Sequence, residues 1–588
     1  MKQIFLYGGL PLLAMVSLTG CIDDNYDLSD IDTTSEFKVN DLVLPVNIDV
    51  VTLGDIIDIK PEDQIKEITI GDQIFYAVQE SGTFASNPIH IPAFSTNAPS
   101  IASAAINFNT GGKLMSVSAK LPSVTLALTS PIEKSFSYRA NNIDSAIVSL
   151  TDLFTDELSI VLTFTASPEI TENADIEIQN LLLDLPKGFA GVDILPDGIY
   201  SEGRLEIPSV KFENGVATIT LNAYGINLVA NGCVIDYANH SLELNTNVNI
   251  ESATLFVTPK ANATVTIPES VSLNVDYNIS PLAVNAVSGK IHYMLKGNDL
   301  NISPISLSNL PDFLAQEGTN LVLSNPQIYL SVNNPVANEK LAYRTGLQLT
   351  AIRDNGPEQN FRLDNGYFDI SFNKGVTGPY NFCLSPELPA AEMVPNGYVE
   401  PVHVPFTSLG NVISGNGLPK SIDIDLVEPQ IFEQMVSHFQ LGRNLNALEG
   451  SWNFIAPLAL KSGVGSKIVY TKTNDGWNDE DIDAITISTL EISMTVDSTL
   501  PLKADISGYP IDKKGNQISE VTIVGAEIPA NAKDKEVVIR INGTVQHLDG
   551  IKFTATVEPE SDEALSPSQT LTMKNIRAKV SGSYIKKL

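Results

Sequence analysis

Alternation of apolar and polar residues is the feature that most restricts the fold of this chain. From residue 42 to the C-terminus, short alternating runs follow one another, and over 242–279 they recur at a spacing of roughly 8–12 residues. A period of two residues is typical of strands that are buried on one side. Short strands at this spacing indicate sandwiches or barrels and not a parallel α/β sheet. The sequence therefore predicts an all-β fold of tandem β-sandwich domains with few short helices.

Two glycine-containing dipeptides predict β-hairpins. Asn214-Gly215 lies between two alternating runs, and Asn-Gly in this setting is the strongest short-range hairpin signal. Gly111-Gly112 also lies between two extended runs, and it predicts a second hairpin by the same argument.

Changes of pattern along the chain predict six parts. They are a signal peptide over 1–20, an acidic tether over 21–41, β-sandwich-like domains over 42–165, 166–286 and 287–418, and a β-rich C-terminal domain over 419–588. One helix is predicted in the last domain, over 429–448, because Ile431, Met435, His438 and Phe439 recur there at roughly helical spacing. Shorter helical segments are predicted over 51–60 and 310–314.

Composition excludes some partners. Hydrophobic residues make up 43% of the 588 residues and charged residues 18%, which supports large packed cores and argues against disorder. The 69 acidic and 36 basic residues give a formal net charge of −33. A chain this acidic repels nucleic-acid phosphates and anionic lipid surfaces, so we expect no nucleic-acid partner.

The N-terminus has the layout of a secretory signal. Lys2 supplies a positive charge, an apolar stretch covers 4–16, and small residues precede Cys21. Leu18-Thr19-Gly20-Cys21 resembles the lipobox of bacterial lipoproteins. This resemblance implies that Cys21 becomes the mature N-terminus and carries a diacylglycerol and usually an N-acyl chain, which together anchor stably in a membrane. The alternative is an ordinary signal peptide with a chance cysteine.

The segment after Cys21 is strongly acidic. Five aspartates crowd into ten positions, namely Asp23, Asp24, Asp27, Asp30 and Asp32, which predicts a solvated tether. Acidic residues directly after a lipidated cysteine resemble the surface-export signal of Bacteroidetes lipoproteins. The stretches 26–34 and 38–42 are similar to the start of a group of uncharacterised Bacteroidales lipoproteins. This resemblance implies no particular activity. The resemblance implies outer-membrane attachment facing the cell exterior, and a periplasm-facing position is the alternative.

Two further cysteines, Cys233 and Cys383, leave two interpretations open. They could form a disulfide in an oxidising compartment, or remain as two buried thiols that behave as small apolar residues. No C-x-x-C pattern or cluster of Cys and His is present in the sequence, so a structural zinc site is not supported.

Sequence motifs predict no enzyme and no cofactor. The chain contains no H-E-x-x-H, G-x-S-x-G or P-loop pattern. The strand-like surroundings of His90 and His403 favour a structural role for both. A triad assembled from distant residues stays open, because such triads are recognised by geometry and not by sequence.

An acidic run supplies the weak metal-ion candidates. Asp475, Asp479, Asp481 and Asp483 offer hard oxygen ligands of the kind that calcium prefers. The spacing matches the first half of an EF-hand loop, but Ala484 and Leu490 stand where the glycine and the bidentate glutamate belong. An exposed acidic loop is the alternative interpretation.

Aromatic residues supply candidate contacts for a sugar, since an exposed ring can stack on a pyranose. The candidates are Trp477, Tyr224, Tyr367 and Tyr380. The sequence does not rank them.

Three functions remain at this stage. The first is a non-catalytic, lipid-anchored surface lipoprotein that adheres or binds, a layout shared with Bacteroidales fimbrial-type adhesins although no motif specific to them is found. The second is a glycan-binding accessory protein of a polysaccharide-uptake system, which an exposed aromatic platform would favour. The third is a hydrolase on a β scaffold, which a cleft with paired carboxylates would favour. The expected partners are the membrane, through Cys21, and a glycan or protein ligand.

Overall fold

A computed structural model describes most of the chain. The described residues are 34–46, 51–52, 65–70, 73–110, 115–118, 123–231, 233–261, 263–296, 302–307, 314, 316–354, 356–371, 378–415, 418–475, 485–518, 522–545 and 549–587. The lipobox, most of the tether and most of the predicted segments 51–60 and 310–314 lie outside these ranges.

The described part of the chain is built almost wholly of strands. The first twenty are β1 (Thr34–Val46), β2 (Val51–Thr52), β3 (Ile65–Ile70), β4 (Gln73–Ala85), β5 (Phe94–Ser95), β6 (Ala104–Asn109), β7 (Met115–Ser118), β8 (Val124–Leu128), β9 (Ser135–Ala140), β10 (Ile147–Ala166), β11 (Ala174–Asp184), β12 (Phe189–Ala190), β13 (Asp193–Leu195), β14 (Ile199–Ser201), β15 (Arg204–Lys211), β16 (Val216–Asn227), β17 (Val234–Asp236), β18 (Ser241–Asn247), β19 (Asn249–Pro259) and β20 (Thr264–Ile267).

The remaining strands are β21 (Ser270–Ile279), β22 (Ala283–Val284), β23 (Ala286–Met294), β24 (Ile305–Ser306), β25 (Gln327–Val332), β26 (Tyr343–Ile352), β27 (Gln359–Arg362), β28 (Phe368–Ile370), β29 (Tyr380–Ser385), β30 (Val402–Pro405), β31 (Ser421–Gln440), β32 (Glu449–Pro457), β33 (Ile468–Asn474), β34 (Ile485–Ser498), β35 (Leu502–Ile511), β36 (Thr522–Val524), β37 (Ala526–Ile528), β38 (Lys535–Val545), β39 (Gly550–Pro559) and β40 (Thr570–Lys587). The helices are α1 (Pro168–Thr171), α2 (Leu228–Asn231) and the 3-10 turns Ala337–Glu339, Ala391–Met393 and Thr407–Asn411. The predicted all-β class is confirmed, and the strands form tandem β-sandwiches.

The first sandwich is made of two layers around an apolar core. One layer contains β10 with its neighbours β16 and β21, and the other contains β15, β11, β19 and β8 in that order. Pairing of β6 with both β21 and β8 joins the two layers at one corner. Alternate residues of each strand point inward, among them the fully buried Phe164, Ile178 and Leu255. This alternation is expected for strands that have one buried face and one solvent-exposed face.

The second sandwich shares a strand with the first. β23 pairs with β10 on one side and with β31 on the other, and β31 also pairs with β26. The opposing sheet has the order β3-β4-β32-β25-β29-β30. Its core holds Trp452, which is 2% exposed, together with Leu330 and Phe454.

The third sandwich brings the two ends of the described chain together. β1 pairs with β40 from Thr34 opposite Lys587 to Val46 opposite Ile576, in the sheet β1-β40-β34-β38-β36. The other sheet is β33-β39-β35-β37, and a small separate core contains Val496, Ile528 and Val537. The first strand therefore takes in the last eight positions of the segment that was predicted as a tether.

Strand pairing runs across the predicted domain boundaries. β8 pairs with β19 across 165/166, and β10 pairs with β23 across 165/166 and 286/287. β23 pairs with β31 across 418/419, and β1 pairs with β40 at the far end of the chain. These partners are far apart in sequence, and local composition carries no information about which distant strand completes a sheet.

The helix predicted over 429–448 is wrong, because those residues largely belong to the strand β31. Register shifts in its pairing with β23 and β26 each insert one extra residue into β31, so buried Ile431, Val436 and Phe439 are not spaced by two. Two residues at such bulges, Glu428 and His438, have positive φ angles of 48° and 52°. Bulges therefore imitate helical spacing here.

The predicted Asn214-Gly215 turn is present, but neither it nor Gly111-Gly112 joins two paired strands, so both hairpin predictions are wrong as strand pairings. Asn214 and Gly215 have φ angles of 53° and 83°, and a single bridge between Glu213 and Val216 closes this tight turn. The flanking strands then separate into the two layers, because β15 pairs with β11 and β14 whereas β16 pairs with β10, β12 and β13. The strands that flank Gly111-Gly112 instead pair elsewhere, since β6 pairs with β21 and β8, and β7 pairs with β20.

Asp562 ties the third sandwich to the second. Its carboxylate accepts hydrogen bonds from Lys461 Nζ at 2.7 Å, from the Ser462 backbone N–H at 2.8 Å and from Ser462 Oγ at 2.7 Å. Ser324 Oγ donates a further bond at 3.2 Å. Partial burial raises the pKa of Asp562, but the bonds from Lys461 and Ser462 outweigh this effect and bring its pKa to about 2.

We expect Asp562→Asn to reduce the free energy of unfolding by about 1 kcal/mol at pH 7, a value discounted for the one-third exposure of the side chain. A carboxyl with a depressed folded-state pKa stabilises above its unfolded pKa of about 3.9 and loses that contribution as pH falls towards 2. The difference between the two proteins should therefore shrink from pH 4 to pH 2 in urea unfolding curves. The exposed Asp475→Asn is the control, and a pH-independent difference would contradict the ion-pair account.

Candidate ligand-binding groove

The candidate site lies where β10 changes its neighbour. β10 pairs with β23 up to Phe154 and with β21 from Ile160 onward, while β16 follows its other edge. Pairing with β16 shifts register between Phe154 and Leu158, which marks a bulge. Bulges bend a strand and redirect its side chains, so this junction opens the sheet into a groove.

The groove has a volume of about 390 Å³. Strands β10, β12, β16 and β31 and the residue before β23 contribute its walls. The lining residues are Phe154, Thr155, Asp156, Ala190, Gly191, Tyr224, Gly225, Asn285, His438 and Gln440. This volume falls at the lower end of the range for small-ligand sites.

Asn285 and Asp156 form the polar side of the groove. Asn285 Nδ2 donates to Asp156 Oδ1 at 2.6 Å. The backbone of Asn285 is fixed as well, because its N–H donates to Phe154 O at 3.0 Å and its carbonyl accepts from Leu441 N–H at 2.8 Å. The groove therefore presents a positioned amide and carboxylate.

Tyr224 forms the aromatic side. Its side chain is exposed, with a residue exposure of 39%, and its phenol donates to Asp193 Oδ2 at 3.1 Å. This bond raises the pKa of Tyr224, so the phenol keeps its proton. Gly191 has a φ of +64°, and a Cβ there would lie 3.4 Å from the Tyr224 side chain. That distance is an ordinary van der Waals contact, so it is the positive φ that favours glycine at 191.

His438 closes the far side, and its position was not foreseen. Its ring centroid lies 4.3 Å from that of Phe154, with the planes inclined at 57°. The backbone N–H of His438 donates to Ser288 Oγ at 3.2 Å. The positive φ of His438 at a bulge is a strained conformation of the kind that clusters at functional sites.

Of the aromatic candidates, the structure brings only Tyr224 to the groove. Tyr367 lies elsewhere, with the Arg344 guanidinium 3.8 Å from its ring centroid, and Tyr380 is half-buried in β29. Trp477 lies outside the described residues. Sequence reasoning did not identify the other groove residues, among them Asp156, Asn285 and Gln440. They come from segments that are far apart in the chain, so no local motif indicates that they form one site.

The other sequence candidates do not converge. Asp475 is exposed, and Asp479, Asp481 and Asp483 lie outside the described residues. Within the ranges that the structure covers, no group of three or more His, Cys, Asp or Glu side chains could hold a metal ion. Cys233 and Cys383 are not joined by a disulfide, and burial raises the pKa of both, to about 11 for Cys233. The buried-thiol interpretation therefore holds for Cys383, whereas Cys233 is half-buried.

Comparison with known proteins does not assign this chain to a family. No family model and no curated protein matches the sequence. A crystal structure of an inferred secreted protein from Parabacteroides distasonis ATCC 8503 is similar over 50% of this chain and 89% of that chain, with 17% identity and a TM-score of 0.35. This similarity is too low to indicate a shared family or a shared function. Among the described residues, no helix combines the length and the apolar character needed to cross a membrane.

Proposed function

We propose that this protein is a lipid-anchored lipoprotein of the outer membrane, displayed on the cell exterior, that binds a ligand without transforming it. The observation that carries the binding role is the groove between β10, β16 and β31. Its lining combines an exposed tyrosine, two amides and a carboxylate on strands that pairing holds in place. Such a preformed site suits recognition.

The lipobox resemblance at Cys21 supports the anchor. Only 13 positions separate Cys21 from Thr34, where β1 begins, and a chain of this length spans at most roughly 45 Å. The third sandwich, which contains β1, is therefore the one held near the membrane. The groove belongs to strands of the other two sandwiches.

Binding fits the groove better than hydrolysis does. Glycoside hydrolysis uses a pair of carboxyl groups that flank the bond to be broken. Asp156 is the one carboxylate among the ten lining residues, all of which are described. An adhesive or binding role needs no second carboxylate, and it uses every group that the groove presents.

A glycan-binding accessory role in polysaccharide uptake is the second candidate. The exposure of Tyr224 favours it, because an aromatic ring held at the surface can stack on a sugar. This role differs from adhesion in the source of the ligand, which would be a nutrient polysaccharide and not a host or partner surface.

Protease treatment of intact cells tests the display. We expect external protease to degrade the protein while a periplasmic control protein survives, because a lipoprotein facing outward is accessible without breaking the membrane. Immunoblotting after a time course measures both. Survival of the protein in intact cells, with degradation only after the outer membrane is permeabilised, would place it in the periplasm and overturn surface display.

A further inference from the structure

We infer that the groove binds an uncharged pyranose unit of a glycan, with Tyr224 as the surface on which the sugar ring stacks. This inference rests on the proposed binding function and names the chemical class of the ligand. Three properties of the lining lead to it: its charge, its combination of an aromatic ring with planar polar groups, and its rigidity.

The charge of the groove selects against anionic ligands. No lysine or arginine is among the ten described lining residues, whereas Asp156 is. Asp193 holds the phenol of Tyr224 from just outside, and exposed Glu157 follows Asp156 directly. A phosphate, a sulfated sugar or a uronic acid would meet these carboxylates without a compensating cation, and like charges at short range are costly.

The polar groups match the hydroxyls of a sugar. A carboxylate can accept about four hydrogen bonds, and Asp156 Oδ1 receives one from Asn285 Nδ2. Asp156 therefore keeps acceptor capacity for ligand O–H groups. The side chain of Gln440 adds a second amide, which can both donate and accept. Neighbouring sugar hydroxyls likewise donate and accept, so acceptors and donors within one small site suit them.

The aromatic groups match the apolar face of a pyranose. The C–H groups on one face of a sugar ring can lie on an aromatic ring, which provides dispersion contacts without requiring charge. Tyr224 is held for this role, because Asp193 fixes its phenol and Gly191 lies beside its ring. The His438 and Phe154 pair forms the opposite wall.

The groove is also fixed before a ligand arrives. Asn285 is held through its backbone and its side chain. Tyr224 and Phe154 lie on β16 and β10, which pair over eleven positions. A site on paired strands loses little conformational entropy on binding, which allows a few contacts to give measurable affinity.

Affinity gel electrophoresis of the mature lipoprotein in detergent micelles tests the inference. The neutral probes are dextran, laminarin, mannan and galactomannan, and the anionic probes are polygalacturonate and heparin. We expect at least one neutral polysaccharide to retard the protein and neither anionic one to do so. Tyr224→Ala should weaken the binding about tenfold, as loss of roughly 1.4 kcal/mol of stacking implies.

Two further variants keep the result interpretable. Asn285→Ala should also weaken binding, because it removes the amide that positions Asp156. Tyr470→Ala is the matched control, since Tyr470 is 42% exposed on the third sandwich, and its binding should equal that of the unaltered protein. Thermal melting followed by circular dichroism confirms that each variant is folded.

Three results would overturn the inference. They are no retardation by any neutral probe, retardation by the anionic probes alone, and neutral binding that neither Tyr224→Ala nor Asn285→Ala weakens. Because purified protein is used, none of them depends on where the protein lies in the cell. Failure of surface display appears only in the protease experiment, and binding of an anionic or protein ligand at the groove would retain the binding function while excluding a neutral sugar.

Discussion

Replacing Trp452 by alanine is expected to lower the free energy of unfolding of the second sandwich by about 3–5 kcal/mol. Trp452 is 2% exposed and lies on β32, opposite Gly82 of β4 and Leu330 of β25. A Cβ at Gly82 would lie 2.8 Å from the indole ring, so the ring fills the space that glycine leaves. Removing it opens a cavity that paired strands on both sides prevent from collapsing.

Hydrogen exchange of amides in β4, β25 and β32 measures this change within the second sandwich. Trp452→Phe should cost less, because it keeps a ring and removes the buried indole N–H, for which the described residues provide no hydrogen-bond partner. Leu388→Ala is the control, since Leu388 is 70% exposed, and it should change stability by less than about 0.5 kcal/mol. Equal effects of Trp452→Ala and Leu388→Ala would contradict the packing argument.

Replacing Cys21 by alanine is expected to abolish membrane attachment. If Cys21 is lipidated, its thiol carries the diacylglycerol and its α-amino group carries the N-acyl chain. Alanine removes the thiol and with it the diacylglycerol, and stable anchoring needs more than one chain. The variant should therefore move from the membrane fraction to the soluble fraction and lose metabolic labelling by palmitate. Fractionation followed by immunoblotting and in-gel detection of the label measures both effects.

Cys233→Ala is the matched control for this experiment. Cys233 is half-buried and forms no disulfide, and its Sγ lies 3.5 Å from the Glu243 carbonyl oxygen. This variant should remain in the membrane and keep its label. A Cys21→Ala protein that still fractionates with the membrane and still carries palmitate would refute lipidation at Cys21.

The strands were largely predictable because their signal is local. In β10, side chains alternate between the core and the surface from Leu158 to Phe164, and that alternation is visible in the sequence. The Asn214-Gly215 turn was predictable for the same reason, since its residues adopt positive φ angles that few others tolerate. Where bulges break the alternation, as around His438 in β31, the same method predicted a helix.

The candidate site was predictable only in part. Tyr224 was among the aromatic candidates, but nothing in the sequence ranked it above Tyr367 or Tyr380. Asp156, Asn285 and Gln440 carry no motif, because they lie in three distant segments of the chain, β10, the residue before β23 and β31, and become neighbours only through strand pairing. A binding site assembled in this way has no signature within any single stretch of chain.

The sequence by itself determined the strand-rich class, the tight turn at Asn214-Gly215 and the expectation of a lipidated Cys21, because each depends on residues that are neighbours along the chain. Only the tertiary structure decided which strands pair, that β1 joins β40, and that Tyr224 meets Asp156 and His438 in one groove. The physical reason is that a strand satisfies its backbone hydrogen bonds with any partner of suitable register. The choice of partner is made by the packing of the whole core.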